Sequence, residues 1–341
     1  MINFLKKIKK IITEQSPPLL PGLKNKIDHN LMKYDFASYG DLNKDKYFYL
    51  IKRSPGTGLF SNVTFILNHM IICRKLGFIP IIDMGNYNTI YNEKRKVKNT
   101  MNSWLYYFEP LNSYKLEDVY KSKYVLISDD KFYHSFNYRL ETKKEFVDML
   151  QQEIKVRKGL YKIFLKISKR FEKKNTLGIH FRGTSYKNCQ GHPFPPTKKQ
   201  MLKATKEIIS KNNIDIIFLV TEEKNYLEFF QKNFPNKLFF LKSSYRSNKN
   251  DAFKVYPRNL HRYKLGREAL LEALLLSKCD HFIYLCSNLS SASISFNYNN
   301  KQKRYEIDNG NNSKNFIISR YLWYLKKILP TNMGGFGDIK I

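Results

Sequence analysis

The sequence contains little cysteine and no long apolar run. Its four cysteines, Cys73, Cys189, Cys279 and Cys286, lack metal-ligand spacing, so we expect free thiols in a reducing compartment. No stretch approaches the roughly 20 apolar residues that span a bilayer, and the first residues lack the small-residue cleavage site of a signal peptide. These absences predict a cytoplasmic protein.

Acidic residues are also scarce. The 341 residues include 60 lysines and arginines but 29 aspartates and glutamates, which gives a formal net charge of +31. A field of this size attracts nucleic acids, anionic lipids and phosphorylated substrates alike. Because the lysines are spread along the chain, the charge does not choose among these partners. The 42% hydrophobic and 15% aromatic content indicates a globular protein.

Two familiar signatures of nucleotide sites are missing. The glycine loop at residues 55–58 lacks the lysine of a P-loop, which excludes that class of nucleoside triphosphatase. No Asp-x-Asp cluster is present to bridge a metal ion and a diphosphate. A diphosphate site in this chain would need arginine, whose planar guanidinium donates two parallel charge-assisted hydrogen bonds.

The apolar pattern alternates between strands and helices. In the first half, a strand over Tyr47–Ile51 leads through a glycine loop and a helix ending near Leu76 to a strand over Phe78–Ile82. This alternation predicts an α/β fold of two Rossmann-like domains that face a cleft. In the second half, the predicted strands are 176–181, 214–220, 238–241 and 281–285, and the predicted helices are 198–211, 227–233, 267–277 and 315–329.

These patterns divide the chain into four segments. We expect a basic amphipathic helix and proline-rich linker over 1–30, an N-terminal α/β domain over 31–172 and a C-terminal Rossmann-like domain over 173–312. A helix and tail follow over 313–341, with packing against the first domain as one option. Residues 2–13 place apolar side chains at helical spacing away from four lysines, which suits either an anionic membrane surface or packing on the domain.

The strongest candidate site follows the predicted strand over 176–181. Ligands bind at the carboxyl ends of strands in open α/β sheets, and the chain places Arg182 there. Its guanidinium suits a diphosphate, Gly183 allows close backbone approach, and Thr184 adds a hydroxyl donor. A structural ion pair explains Arg182 equally well. Farther along, Glu222 and Glu223 suit either a ribose contact or a helix N-terminus, and we favour the second.

Four segments of the chain occur in an order shared with one enzyme family. They are Gly58-Leu59-Phe60-Ser61-Asn62, His180-Phe181-Arg182-Gly183-Thr184, the helix 266–273 with the following Leu276-Ser277-Lys278-Cys279-Asp280, and Cys286-Ser287-Asn288-Leu289-Ser290-Ser291. Together they resemble the fucosyltransferase superfamily, which includes the α1,6-fucosyltransferases, the nodulation fucosyltransferases and the protein O-fucosyltransferases. The resemblance covers about residues 47–298. It implies a GT-B-like fold and an enzyme that uses a GDP-activated sugar.

The resemblance also implies roles for individual residues. Arg182 would bind the β-phosphate of the donor, Glu272 stands where the family has an acidic contact to guanosine, and Asn62 would approach the donor from the other domain. A serine-rich loop would complete the phosphate cradle through either of two serines. The implied donor-binding residues are His180, Arg182, Gly183, Thr184, Glu272, Ser290, Ser291 and Asn62.

The family pattern breaks where an inverting transfer needs a general base. Ser185 replaces the family's aspartate, and Gln190 falls near a carboxylate of the α1,6 enzymes. Neither side chain accepts a proton at neutral pH. His192, with an ordinary pKa of about 6.5, and Asp83, at a strand end of the first domain, are the candidates for the catalytic base. Each has a structural alternative as a loop or turn residue.

The sequence thus predicts an inverting, metal-independent glycosyltransferase with no cofactor beyond its nucleotide-sugar donor. The donor is expected to be GDP-fucose, or another GDP-sugar such as GDP-heptose. The acceptor is expected to be a glycan in the synthesis of a surface polysaccharide, such as a capsule, or of a glycolipid. Residues 2–13 suggest peripheral contact with the inner face of an anionic membrane. The alternative from a different class is a nucleic-acid-binding protein, although the spread of the lysines predicts no specific nucleic acid partner.

Overall fold

The computed structural model describes residues 36–128, 138–299 and 301–339. Within these ranges the chain forms two units, one running up to Tyr138 and taking in Gln152–Lys155, the other comprising Arg139–Gln151 and everything from Val156 onward. The predicted helix over residues 2–13 and the linker after it lie outside the described residues. In the part of the chain that is described, no helix is long and apolar enough to cross a membrane.

The first unit is built on a parallel sheet of three strands, in which the first strand along the chain lies in the middle. The middle strand carries Phe48 and Leu50 into a core with Ile81 and Val125. The first helix ends where Gly77 adopts a φ of 67° and its N–H group caps the last turn, a conformation that glycine takes at little cost. The elements are β1 (Leu42–Lys52), α1 (Leu59–Leu76), β2 (Ile79–Asp83), a 3-10 turn (Ser103–Tyr106), α2 (Leu116–Val119) and β3 (Ser122–Ile127).

The second unit contains a fully parallel sheet of five strands. Apolar runs such as Leu177, Ile179 and Phe181 are buried because helices cover the sheet. Its strands are β4 (Thr176–His180), β5 (Ile216–Val220), β6 (Leu238–Phe239), β7 (His281–Leu285) and β8 (Lys303–Ile307). Its helices are α3 (Lys144–Gln152), α4 (Lys158–Ser168), α5 (Lys198–Lys211), α6 (Lys224–Asn233), α7 (His261–Leu276), α8 (Asn288–Phe296) and α9 (Phe316–Ile328).

The strand order of the second unit reverses at β4. From β4 the chain adds β5 and β6 on one side, then crosses to β7 on the other side of β4 and adds β8. In doubly wound sheets, such a reversal leaves a crevice at the carboxyl ends of the two central strands, and ligands bind there. The predicted α/β class and a parallel sheet in each half are therefore confirmed, and the reversal selects the ends of β4 and β7.

The boundary between the units differs from the predicted one. Residues 139–151 belong to the second unit because the backbone N–H of Leu140 donates to Ser291 Oγ at 2.8 Å and Gln151 Nε2 donates to the carbonyl of Ser295 at 2.7 Å. Residues 143–173, whose mixed apolar and lysine pattern predicts helix, form two helices, α3 and α4. In addition, the serine-rich segment that was expected to be a loop begins a helix, α8, and β8 was not predicted.

Candidate functional site

The motif around Arg182 leaves the sheet at the carboxyl end of β4. His180 is the last residue of the strand and pairs in register with Tyr284 of β7. Phe181 remains in the core, where its ring stacks on Tyr226 with centroids 3.9 Å apart and its N–H donates to the carbonyl of Val220 at 2.9 Å. This anchoring places Arg182 at the point of strand reversal.

Two carboxylates from the end of β5 hold the turn that follows. Glu222 Oε1 accepts hydrogen bonds from the N–H of Gly183 at 3.1 Å and from Thr184 Oγ1 at 2.8 Å. Glu223 Oε1 accepts from the N–H of Thr184 and forms an ion pair with Lys187. The prediction that this pair stands at a helix N-terminus is confirmed, because Glu223 is the N-cap residue of α6, although its side chain makes no capping hydrogen bond. The two acids also fix the conformation of the motif.

Gly183 is required by the packing of these acids. A Cβ atom at this position would lie 2.7 Å from Glu223 Cδ and 2.9 Å from Tyr226 Cε2, distances that real Cβ atoms do not show. The next residue, Thr184, adopts a φ of 25°, which β-branched residues rarely take. Its amide and hydroxyl are both donated to the carboxylates, so the predicted role of that hydroxyl as a ligand donor does not fit this arrangement.

The Arg182 side chain is partly exposed, and a carboxylate lies close to its guanidinium. Its side chain is 30% exposed, and Nε lies 3.5 Å from Glu222 Oε1. Nη2 donates to Ser185 Oγ at 3.2 Å, and the guanidinium lies 4.7 Å from the centre of the Tyr186 ring. Burial raises the pKa of Glu222, but the positive charge of Arg182, with smaller contributions, brings the pKa below its usual value. The pair is therefore ionised, and the guanidinium remains accessible to an anion.

His180 is neutral at physiological pH. Burial, together with the charge of Arg182, lowers the pKa of this imidazole to about 4. Its Nδ1 is buried and has no hydrogen-bond partner among the described residues. The predicted place of His180 beside the nucleotide stays a prediction, and in that place the ring would act as a neutral hydrogen-bonding group.

His192 lies close to Arg182 through a shared aromatic neighbour. Its ring centroid is 4.9 Å from that of Tyr186, the ring that also contacts the guanidinium. The loop is fixed because Asn312 donates its N–H to the carbonyl of His192 at 2.8 Å. Partial desolvation and the charge of Arg182 lower the pKa of His192 below its usual value. The exposed imidazole is thus neutral at pH 7 and able to accept a proton.

Asp83, the other candidate base, is enclosed at the end of β2 in the first unit. The residue is fully buried. Oδ1 accepts from the N–H groups of Gly85 and Asn86 at 3.0 and 2.9 Å, and Oδ2 accepts from Asn86 Nδ2 at 2.9 Å and Tyr120 Oη at 2.6 Å. Four donors and no exposure make Asp83 the organiser of a turn. This geometry does not present the carboxylate to a substrate.

Asn62 occupies the first turn of α1, also in the first unit. Its N–H donates to the carbonyl of Gly58 at 3.1 Å. The side chain is buried, and its Oδ1 has no hydrogen-bond partner in the described part of the chain. Gly56 adopts a φ of 59°, and a Cβ there would lie 2.6 Å from Asn62 Oδ1. The glycine loop therefore packs closely against the Asn62 side chain. The approach of Asn62 to a donor stays a prediction.

The two serines of α8 use their hydroxyl groups within the protein. Ser290 forms a capping box with Ser287 and donates to the carbonyl of Leu285 at 2.7 Å. Ser291 Oγ bonds to the carboxylate of Glu141 and accepts from the N–H of Leu140. These hydroxyl groups are therefore used within the protein. Two residues separate the end of β7 from the start of α8, and a helix N-terminus favours negative charge.

Glu272 lies in a buried polar cluster on α7. Its Oε1 accepts from Ser244 Oγ at 2.6 Å and lies 3.8 Å from Arg246 Nη2. Burial raises the pKa of Glu272 to about 7 despite the opposing effect of Arg246. One turn earlier, Glu268 binds both terminal nitrogens of Arg258 at 2.7 Å. The sequence prediction for Glu272 did not include these partners, which come from a loop after β6.

Sequence reasoning also missed Tyr186 and Lys187 as parts of the site. The feature of the sequence that pointed to their surroundings was the Glu222–Glu223 pair, which follows a strand next to β4. No group of three or more histidine, cysteine, aspartate or glutamate side chains suited to a metal ion occurs within residues 36–128, 138–299 and 301–339. Metal independence of the predicted reaction stays a prediction.

Neither a protein-family model nor a curated protein sequence matches the chain. Several solved structures are similar to it. A NodZ α-1,6-fucosyltransferase soaked with GDP-fucose is 14% identical, with 77% of this chain and 95% of that chain covered and a TM-score of 0.49. POFUT1 in complex with GDP-fucose is 9% identical, with 77% and 98% covered and a TM-score of 0.45. A variant of Arabidopsis thaliana FUT1 in complex with GDP is 9% identical, with 79% and 72% covered and a TM-score of 0.42.

All three are fucosyltransferases, the superfamily that the four sequence motifs resemble. At these identities and TM-scores the likeness does not extend to individual residues.

Proposed function

We propose that the protein is a glycosyltransferase that uses a GDP-activated sugar, with fucose as the first candidate. The observation that supports this most strongly is the position of Arg182, which lies at the strand reversal between β4 and β7, with its Nε 3.5 Å from Oε1 of Glu222, which follows β5. A guanidinium and a helix N-terminus, that of α8, follow neighbouring strands. Both elements favour a diphosphate. The choice of GDP follows from the resemblance of the four motifs.

In this proposal Arg182 stabilises the leaving group. As the bond between the anomeric carbon and the β-phosphate oxygen breaks, its electron pair stays on that oxygen and negative charge develops on GDP. The guanidinium lies ready to neutralise that charge without a metal ion, since its position is already fixed by Glu222 and Tyr186. Preorganised donors of this kind are effective because they need not reorganise during the reaction.

We assign the general base to His192. The acceptor hydroxyl attacks the anomeric carbon on the face opposite the leaving GDP, so the configuration inverts. The proton of the hydroxyl passes to the imidazole. His192 is exposed, neutral at pH 7 and near Arg182 through Tyr186. Asp83 is a poorer candidate because each of its oxygens already accepts two hydrogen bonds in a buried turn.

The remaining parts of the proposal rest on the sequence resemblance. Glu272 is proposed to contact the guanine base, and Asn62 to approach the donor. A glycan of a surface polysaccharide or glycolipid is proposed as acceptor, at the cytoplasmic face of the membrane. GDP-heptose is the alternative donor, because no sugar-contacting residue separates it from GDP-fucose.

The test is nucleotide binding by variants of Arg182, with a panel of GDP- and UDP-sugars. Ligands that bind the native state raise the melting temperature according to their concentration over Kd. Arg182→Ala is expected to weaken GDP binding about 10- to 150-fold, because charge-assisted hydrogen bonds contribute roughly 1.5–3 kcal/mol. The GDP affinity of Arg182→Lys should lie between those of Arg182→Ala and the original chain, since lysine keeps the charge without the bidentate geometry. Arg304→Ala on β8 is the matched control, and its affinity should not change.

Full GDP affinity in Arg182→Ala would overturn the assignment. The same plate with a chelator tests metal independence, because GDP stabilisation should persist. Release of free nucleotide from one member of the panel identifies the donor. Stabilisation by UDP-sugars but not by GDP-sugars would contradict the proposed nucleotide.

A further inference from the structure

The helix α9 carries apolar side chains on the face that points away from the protein. Its inner face is set by Ser319 and Trp323, both buried, and the Trp323 Nε1 donates to the carbonyl of Pro195 at 2.8 Å. On the opposite face, apolar residues recur every three or four positions, a spacing that places them along one side of an α-helix. Its members, here called the outer stripe, are Ile317, Ile318, Tyr321, Tyr324, Leu325 and Ile328.

The outer stripe forms a contiguous exposed apolar surface, unlike apolar residues that are scattered singly over a protein surface. Ile317 is 68% exposed, Tyr321 66% and Ile328 78%. Isolated exposed apolar residues are normal, but a contiguous apolar patch marks an interaction surface. Isoleucines and a leucine with two tyrosines among them also match the composition of helices that lie in a membrane interface, where the tyrosine rings sit at headgroup level.

The surroundings of the outer stripe are positively charged. No acidic residue occurs from residue 309 to 337, whereas Lys314, Arg320, Lys326 and Lys327 do. On a helical projection Arg320 and Lys327 lie together along one edge of the outer stripe. Two of these cations contact rings of the same helix, with Arg320 3.9 Å from the Phe316 ring centre and Lys327 5.7 Å from that of Trp323.

A basic cavity adjoins the same helix. Its volume is about 930 Å³, and Trp323 and Tyr324 form part of its wall. The Lys187 ammonium lies 5.1 Å from the centre of the Trp323 ring. Burial lowers the pKa of Lys198, and the neighbouring lysines contribute in the same direction. Its lysines are Lys187, Lys198, Lys199 and Lys327, and its acid, Asp338, pairs with Lys203.

We propose that α9 docks on an anionic lipid bilayer. The outer stripe would enter the boundary between headgroups and acyl chains, while Arg320, Lys327, Lys198 and Lys199 bind headgroup phosphates. The combination of an aliphatic face and a cationic edge selects this partner. A second copy would bring the same positive charge to the interface, and the outer stripe is mainly aliphatic, whereas single-stranded nucleic acid binds to platforms of aromatic rings.

The experiment is flotation of the full chain with vesicles of neutral phosphatidylcholine, with or without 30% phosphatidylglycerol. We expect binding to the anionic vesicles and little to the neutral ones. Ile317→Ser/Ile328→Ser should lower partitioning roughly tenfold or more, because two apolar side chains lose their burial. Arg320→Gln/Lys327→Gln should lower it to a similar extent and reduce its dependence on salt.

Helix α4 offers matched controls in the same unit. Leu165 is 44% exposed, and Lys162 and Lys166 are exposed on the same helix. Leu165→Ser and Lys162→Gln/Lys166→Gln should leave binding within about twofold, because the proposal gives α4 no lipid contact. Equal losses from these controls would show a non-specific effect of charge or apolar area, and would overturn the proposal.

Two other outcomes would also overturn it. One is loss of vesicle binding when Lys6, Lys7, Lys9 and Lys10 are changed to glutamine, with no effect of the α9 variants. The other is a concentration-dependent dimer that Ile317→Ser/Ile328→Ser dissociates, without vesicle binding by the original chain. No donor nucleotide is present in these measurements, so their result does not depend on the proposed transferase activity.

Discussion

Adding one methyl group to Gly183 tests how the site is held together. In Gly183→Ala the new Cβ would lie 2.7 Å from Glu223 Cδ and 2.9 Å from Tyr226 Cε2. Tyr226 is stacked on Phe181 in the core, so it cannot retreat. The carboxylate has to move instead. It then loses the N–H of Thr184 and its ion pair with Lys187, whose side chain is 13% exposed.

Two overlapping effects contribute to the expected loss of stability. Overpacking costs roughly 1–3 kcal/mol, and a lost hydrogen bond to a charged group costs about 1.5–3 kcal/mol. Because the two overlap, we expect about 2–4 kcal/mol for Gly183→Ala. A unit of this size loses about 2–4 °C of melting temperature per kcal/mol. The thermal transition of the second unit should therefore fall by about 5–15 °C.

A control and a second substitution make this result interpretable. Gly159→Ala on α4 is the control, since a Cβ there meets nothing within 4 Å, and the change should be neutral or slightly stabilising. In a Glu223→Ala background the carboxylate is gone and of these contacts only the one to Tyr226 Cε2 remains, so Gly183→Ala should cost less than in the original chain. Additive effects of the two substitutions, or a melting temperature of Gly183→Ala equal to that of the original chain, would refute the packing explanation.

Three further predictions concern the base, the buried acid and the helix cap. Transfer should decline as the pH falls through the pKa of His192, which is below its usual 6.5; His192→Gln should reduce kcat about 100-fold or more with unchanged GDP affinity, and an unchanged kcat would exclude this base. Because the pKa of Glu272 rises from 4.5 to about 7 on folding, the stability it contributes is complete below pH 4.5 and is lost as the pH rises through 7. The melting temperature of Glu272→Gln minus that of the original chain should therefore increase from pH 5 to pH 8, and a constant difference would contradict the raised pKa. Ser287→Ala removes the capping box of α8 and should cost about 1 kcal/mol, measured by thermal melting, whereas Ser287→Asn should retain most of the stability.

The alternation of apolar runs was sufficient to predict most of the sheet in the second unit. The runs around Leu177, Ile217 and Ile283 are buried on both faces, so their hydrophobicity is continuous and unambiguous. The strand β8 escaped prediction because Lys-Arg-Tyr-Glu-Ile alternates little and lies at an edge, where charged residues are common. The helix α8 escaped because its serines are typical of loops, and here two of them form a capping box.

The site was predictable only in part, because its key contacts join distant parts of the sequence. Arg182 was found from its place after a strand. The hydrogen bonds from Gly183 and Thr184 reach Glu222 across 38 or more residues, a pairing that depends on β4 and β5 being neighbours. For the same reason, the sequence assigned Gly183 to ligand approach, whereas Glu223 fills the space beside it. The helix α9 was predicted with nearly the observed bounds, but its pattern did not reveal which side faces outward.

The carboxylate beside Arg182 has a consequence for the release of product. GDP carries more negative charge than a GDP-sugar, because its terminal phosphate is no longer esterified. An arginine without a neighbouring anion would hold the spent nucleotide more tightly than the fresh donor and would slow each cycle. Glu222, 3.5 Å from the Arg182 Nε, reduces the local positive potential and so narrows that difference. In the proposed enzyme, the residue that fixes the motif in place would also keep the rate of turnover from being limited by GDP departure.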